Sequence, residues 1–190
     1  MRWLLFCLLF AACTAPIPPA ALRAQLTTDQ IARLQVPMLF VSAPQIKTAA
    51  TLIPVRQNGP VRIWQTRDGA QIATRDGLVV ATHGLGFDLA ASDLDGIAAA
   101  IAGGPGEYKR TLSHIMGDLR TSVQPYRCVL APDRSKPQNP AITVLREDCR
   151  GPDPFRNLYH IDAKGRLFWS QQWVSPKVGH LEIEVIRPDK

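Results

Sequence analysis

Val61-Arg62-Ile63-Trp64-Gln65-Thr66-Arg67-Asp68-Gly69-Ala70-Gln71-Ile72-Ala73-Thr74-Arg75-Asp76-Gly77-Leu78-Val79-Val80-Ala81-Thr82 carries three short apolar and β-branched runs, separated by two Arg-Asp-Gly triplets. Asp-Gly supplies the positive-φ backbone that reverses a chain between antiparallel strands. Residues 61–66, 70–74 and 78–82 are therefore expected to form a three-stranded meander.

The same pattern continues downstream. Strands are expected at 107–115, 119–131, 141–149, 156–162, 166–174 and 180–187, with turn chemistry at Gly117-Asp118 and Ala163-Lys164-Gly165. In the last of these, Leu181, Ile183 and Val185 share one face, while Glu182 and Glu184 point away from it. About nine strands and few helices predict an all-β, mainly antiparallel fold, a meander closing into a barrel-like or sandwich domain. One or two short helices are expected beside it. One runs over 29–35 after Thr27-Thr28-Asp29 and is ended by Pro37. The other covers 90–102, opened by Ser92 or Asp93 and stopped by Gly103-Gly104-Pro105-Gly106.

Working back to the start, Met1-Arg2 is a minimal positive segment and Trp3 to Phe10 an apolar run too short to span a bilayer. Ala11-Ala12 before Cys13 match a bacterial lipobox, so residues 1–12 read as a signal peptide and Cys13 as the acylated N-terminus of the mature protein. Cys7 fits less well, because Phe6 stands where a small residue is needed. Residues 13–26, with Pro16, Pro18 and Pro19, read as a Pro/Ala tether. A single β-rich domain over 27–190 then follows. Thr14 after the cysteine, in place of Asp, favours the outer membrane, with the domain facing the periplasm.

The chain has 190 residues, with 22 Lys and Arg against 16 Asp and Glu, a net charge of +6. Loss of Arg2 with the signal would leave +5. The excess is spread along the chain without a basic run, which suits anionic surfaces or glycans and argues against nucleic acid. Two cysteines remain after export and lipidation. Cys128 and Cys149 are 21 positions apart and read as a disulfide stapling a hairpin, worth roughly 3 kcal/mol on the loop-closure argument.

No nucleophile elbow, Ser-x-x-Lys or His-Glu-x-x-His motif occurs, and His83, His114, His160 and His180 lie on separate expected elements. No catalytic residue, metal or cofactor is expected. Gly84-Leu85-Gly86 reads as a turn that drops Leu85 or Phe87 into the core, and Asp93-Leu94-Asp95-Gly96 as a helix start in preference to a calcium loop. Glu182 and Glu184 are the nearest approach to a carboxylate pair, and read as an exposed acidic face. Trp169 and Trp173, four positions apart on one strand, are expected on one face with Gln171 between them. Either these rings fill the interior or they offer a platform for sugar rings, and Trp64 is a similar case.

The segment Arg75-Asp76-Gly77-Leu78-Val79-Val80-Ala81-Thr82-His83-Gly84-Leu85-Gly86-Phe87-Asp88-Leu89 resembles the signature of the YjbF/GfcB family of group 4 capsule polysaccharide lipoproteins. So do Asn157-Leu158-Tyr159, the run from Gly165 to Val174 with Ser170-Gln171-Gln172-Trp173, and Gly179 to Val185. The resemblance covers roughly residues 34–187. It implies a lipid-anchored, barrel-like envelope protein that serves export or assembly of a capsule or exopolysaccharide, with other export proteins or the polysaccharide as partners. It brings no catalytic residues. The expectation is thus a non-enzymatic accessory protein. The alternatives are a polysaccharide-modifying enzyme, marked by converging buried carboxylates or histidines in a cleft, or a barrel carrying an apolar ligand in a roomy interior.

Overall fold

A computed structural model describes residues 18–115, 120–134 and 141–188, and its twelve strands form one antiparallel sheet that nearly closes into a barrel. In chain order the strands are β1 (Met38–Ala43), β2 (Thr48–Asn58), β3 (Val61–Gln65), β4 (Gln71–Arg75), β5 (Leu78–His83) and β6 (Leu89–Ser92). They continue with β7 (Gly106–Ile115), β8 (Thr121–Pro132), β9 (Ile142–Arg150), β10 (Phe155–Asp162), β11 (Leu167–Ser175) and β12 (Gly179–Arg187). The sheet runs β5-β4-β3-β2-β1-β12-β11-β10-β9-β8-β7-β6, so only the β1–β12 pairing joins distant parts of the chain. Three short helices accompany it: α1 (Pro19–Ala24), α2 (Thr28–Arg33) and α3 (Asp95–Gly103). Cys7, Cys13, the whole signal segment and Gly117-Asp118 lie outside the described residues.

The two Asp-Gly turns form as expected but differ in kind. Asp76 and Gly77 both have positive φ, 52° and 83°, as a two-residue hairpin turn requires. At the first turn only Gly69 is left-handed, and the Thr66 N–H meets the Ala70 carbonyl around a longer loop. Helix α2 carries a full capping box, Thr27 and Gln30 each accepting the other's backbone N–H.

The structure adds two strands and corrects the expected second helix, its cap and the tether. Met38–Ala43 and the first residues of Thr48–Asn58 are strands, although Met38 sits at helical spacing from Ile31 and Leu34. The second of these strands is masked in sequence by Pro54, which sits at a register shift against β3 where a proline costs no ladder bond. Ala90–Ser92 belongs to β6, because pairing with β7 outweighs the helical preference of alanine; only Asp95–Gly103 is helical. Neither Ser92 nor Asp93 is the N-cap residue; that is Leu94, although the Asp93 carboxylate accepts the Asp95 N–H at 3.0 Å. Of the stretch read as a tether, residues 19–24 form α1, docked on the barrel wall by Arg23, which grips Glu184 through two bonds of 2.6 and 2.7 Å.

The interior is filled. Leu39, Val41, Leu52, Trp64, Ile72, Leu112, Tyr126, Phe155, Trp173, Leu181 and Ile183 form the main core. Helix α3 covers the remaining gap: Leu94 and Ile97 pack with Leu78, Leu130, Leu145, Tyr159 and Ile161. Ile97 is fully buried, worth about 1.5–3 kcal/mol. Gly96 allows this approach, since a Cβ there would lie 2.6 Å from the Tyr108 ring and 2.9 Å from the Lys109 carbonyl oxygen.

Candidate functional site

Strands β5 and β6 are the sheet's two ends, and side chains close the seam between them in place of a ladder. Thr82 donates to Asp88 at 2.8 Å and accepts the Leu89 N–H at 3.0 Å. Asp88 also takes the N–H groups of Gly84 and Leu85, fixing the turn. Leu85 packs on the core, whereas Phe87 remains exposed beneath the Lys177 ammonium. Gln172 reaches across from β11 to the same edge strand, its side-chain carbonyl accepting the Val79 N–H at 2.9 Å and its amide donating to the Gly77 carbonyl at 2.8 Å.

Beneath the seam lies a polar network that was not legible as a site in sequence. Arg110 and Glu147, 2% and 0% exposed, pair at 2.9 Å. Tyr108, Tyr159 and Asn157 each donate to the Glu147 carboxylate, at 2.6, 2.6 and 2.7 Å. Asn157 also accepts the Trp173 N–H at 2.7 Å. Burial alone would push Glu147 up, but the Arg110 charge and the three donors outweigh it and hold the carboxyl below its usual range. Burial and the Glu147 charge drive both tyrosines well above the phenol range. A carboxylate saturated in this way has neither a free lone pair to aim at a substrate nor a proton to give. The pair and its donors fix the core.

Cys128 and Cys149 are directly opposite one another on β8 and β9 and are joined by a disulfide. Among the described residues, the one group of side chains close enough for a metal is Cys128, Glu147 and Cys149, and its sulfurs are consumed by that bond. His114 is buried edge-on to Trp173, with Nε2 2.7 Å from the Val174 carbonyl; facing an acceptor, that nitrogen carries the proton.

The tryptophans do not act as one platform. Trp173 is core, stacked 5.0 Å from Phe155 at 5°. Register against β12 is unbroken from Trp169 to Trp173 and shifts only beyond, between Trp173 and Ser175. Trp169 packs against His160 at 4.6 Å. Gln171 is half-buried, opposite Glu182 and Leu158. Glu182 and Glu184 serve different partners, Glu182 accepting the Ser42 hydroxyl at 2.8 Å and Glu184 holding Arg23.

Trp64 and Trp169 both line a pocket of about 260 Å³ at one end of the barrel, with Phe168, Arg62, Arg166 and Arg187 at its walls. The Trp64 indole N–H is already given to Thr74 at 2.9 Å, and Arg62 lies 5.5 Å over its ring. Arg166 is held by Asp162, whose carboxyl stays low because the Arg166 backbone N–H and guanidinium both donate to it. A second pocket, of about 290 Å³, opens at the opposite end among Val41, Ile46, Leu52 and Leu85. No helix among the described residues is long and apolar enough to cross a membrane.

The sequence model of the family described as group 4 capsule polysaccharide lipoprotein gfcB, YjbF, matches residues 10–186. Among solved structures, the crystal structure of the hypothetical lipoprotein YmcC from Escherichia coli K12 superposes with a TM-score of 0.72 at 15% identity, over 90% of this chain and 94% of that one, a likeness of fold. No curated protein matches by sequence.

Proposed function

The chain belongs to the YjbF family of group 4 capsule polysaccharide lipoproteins, and from this we propose that it is a lipid-anchored accessory protein of capsule or exopolysaccharide export. It acts without catalysis, by holding partner proteins of the export route, the glycan, or both. The observation that carries the reading is the family match, which spans Cys13 and all of the barrel but its last residue.

Signal removal before Cys13, attachment of a diacylglyceryl group to its sulfur through a thioether and palmitate-type acylation of its new amine would tie the barrel to the envelope, with the outer membrane facing the periplasm as the destination. A non-catalytic role is supported by the chemistry of Glu147, whose oxygens are all committed to internal donors. The end pocket with Trp64, Trp169 and its arginines is the place where a sugar unit would seat, ring on ring, with cations at the rim.

Deleting the gene in its own bacterium and measuring exported against retained polysaccharide tests the proposal. The exported fraction falls and returns when the full-length chain is supplied. Unchanged export refutes it.

A further inference from the structure

On the outer wall of the barrel Lys109, Arg127 and Arg150 stand in one row across three adjacent strands. Lys109 is the direct cross-strand partner of Arg127, and Arg127 of Arg150. All three are exposed, and among the described residues none has an acidic or hydrogen-bonded side-chain partner. Like charges directly opposite on a sheet repel and cost stability, so this row opposes folding and is not part of what holds the barrel together. The neighbouring row is balanced, Asp148 being held by Arg146 and Arg156 at 2.8 and 2.6 Å.

The row lies in the wall of a broad depression of about 1140 Å³, where Lys109, Arg127, Arg150 and Arg156 outnumber Glu107 and Asp148. The platform beneath is rigid. The Cys128–Cys149 disulfide ties β8 to β9 one residue from Arg127 and Arg150, and Arg110, next to Lys109, is locked on Glu147. Adjacent strands are about 4.8 Å apart, a spacing comparable with the rise per sugar along an extended glycan.

We propose that Lys109, Arg127 and Arg150 form a binding track for an acidic polysaccharide, each cation meeting a carboxylate or phosphate on successive units of a chain laid across the strands. A concave, ridged surface of this kind grips a polymer; a flat bilayer would touch only its rim. The proposal rests on the polysaccharide-export reading and adds the charge class of the glycan and where on the barrel it lies.

The test uses the full chain in detergent, with polygalacturonate as the acidic probe, dextran as the neutral one, and phosphatidylglycerol vesicles. Polygalacturonate binds and is weakened by salt, and dextran does not bind. The triple variant Lys109→Gln, Arg127→Gln, Arg150→Gln binds polygalacturonate about tenfold more weakly or worse. A control triple, Arg33→Gln, Arg56→Gln, Lys164→Gln, which removes the same charge elsewhere, binds as before. Equal loss in both triples, unchanged binding in the row variant, or tighter binding to the vesicles through the same row overturns the track. The wild type and the row variant are also returned to the deletion strain. If the wild type restores export and the row variant restores it equally, the track fails and the export role stands. If deletion leaves export unchanged, it is the export role that fails.

Discussion

The Gln172 side-chain carbonyl accepts the Val79 backbone N–H at 2.9 Å, so one glutamine takes the place of a neighbouring strand at the open edge of β5. Its amide completes the pairing through the Gly77 carbonyl and is steadied by Ser170 at 2.9 Å. Replacing Gln172 with Ala orphans a buried N–H, at a cost of about 1–3 kcal/mol, with more for the abandoned carbonyl. Urea unfolding should show that loss, and amide exchange at Val79 should accelerate. An unchanged exchange rate at Val79 would mean that the seam is held by other contacts.

The Arg110–Glu147 pair makes the barrel sensitive to acid. The folded-state pKa of Glu147 is depressed, so its contribution to stability is present above the unfolded carboxylate value and is lost as pH falls through the folded one. Thermal stability should therefore decline from roughly pH 4 downward. Glu147→Gln leaves Arg110 buried without its counter-ion, a loss of about 3–5 kcal/mol at neutral pH, and flattens the acid dependence. A variant that keeps the wild-type acid slope would assign that slope to other carboxylates.

Trp169 and Trp173 should part company under mutation. Trp173→Ala removes a ring stacked on Phe155 and touching His114, at about 3–5 kcal/mol. Trp169→Ala, at the pocket wall, costs less than about 1 kcal/mol and leaves the circular dichroism spectrum unaltered. Equal destabilisation would show that Trp169 is also core.

Loss of the Cys128–Cys149 bridge through a double Cys→Ala change should lower stability by about 3 kcal/mol, and reductant should lower the wild-type Tm towards that of the variant. Reductant-independent melting, with free thiols found by mass analysis of periplasmic material, would contradict the bridge.

The strands from Val61 onward were legible because period-two alternation and Asp-Gly turns are local signals. β1, the first part of β2 and β6 were not, since β1 is held by β12 at the far end of the chain and the alanines of 90–91 are claimed by pairing of β6 with β7. The residues that carried the family resemblance turn out to organise the closure and the core: Asp88 fixes the seam turn, Gln172 caps β5, and Asn157 and Tyr159 hold Glu147. Glu147 itself looked like one more polar position on an alternating strand. Only the fold shows that its face is the inner one, because burial depends on which strands lie opposite. The row of Lys109, Arg127 and Arg150 was invisible for the same reason: it exists across strands, not along one.

The export role at a membrane is tested most directly by supplying the deletion strain with either the wild-type chain or Cys13→Ala and quantifying polysaccharide at the cell surface. Wild type should incorporate labelled palmitate and restore surface polysaccharide, while Cys13→Ala, folded and present in the periplasm, should do neither. Full restoration by an unlabelled Cys13→Ala protein would contradict the requirement for the anchor.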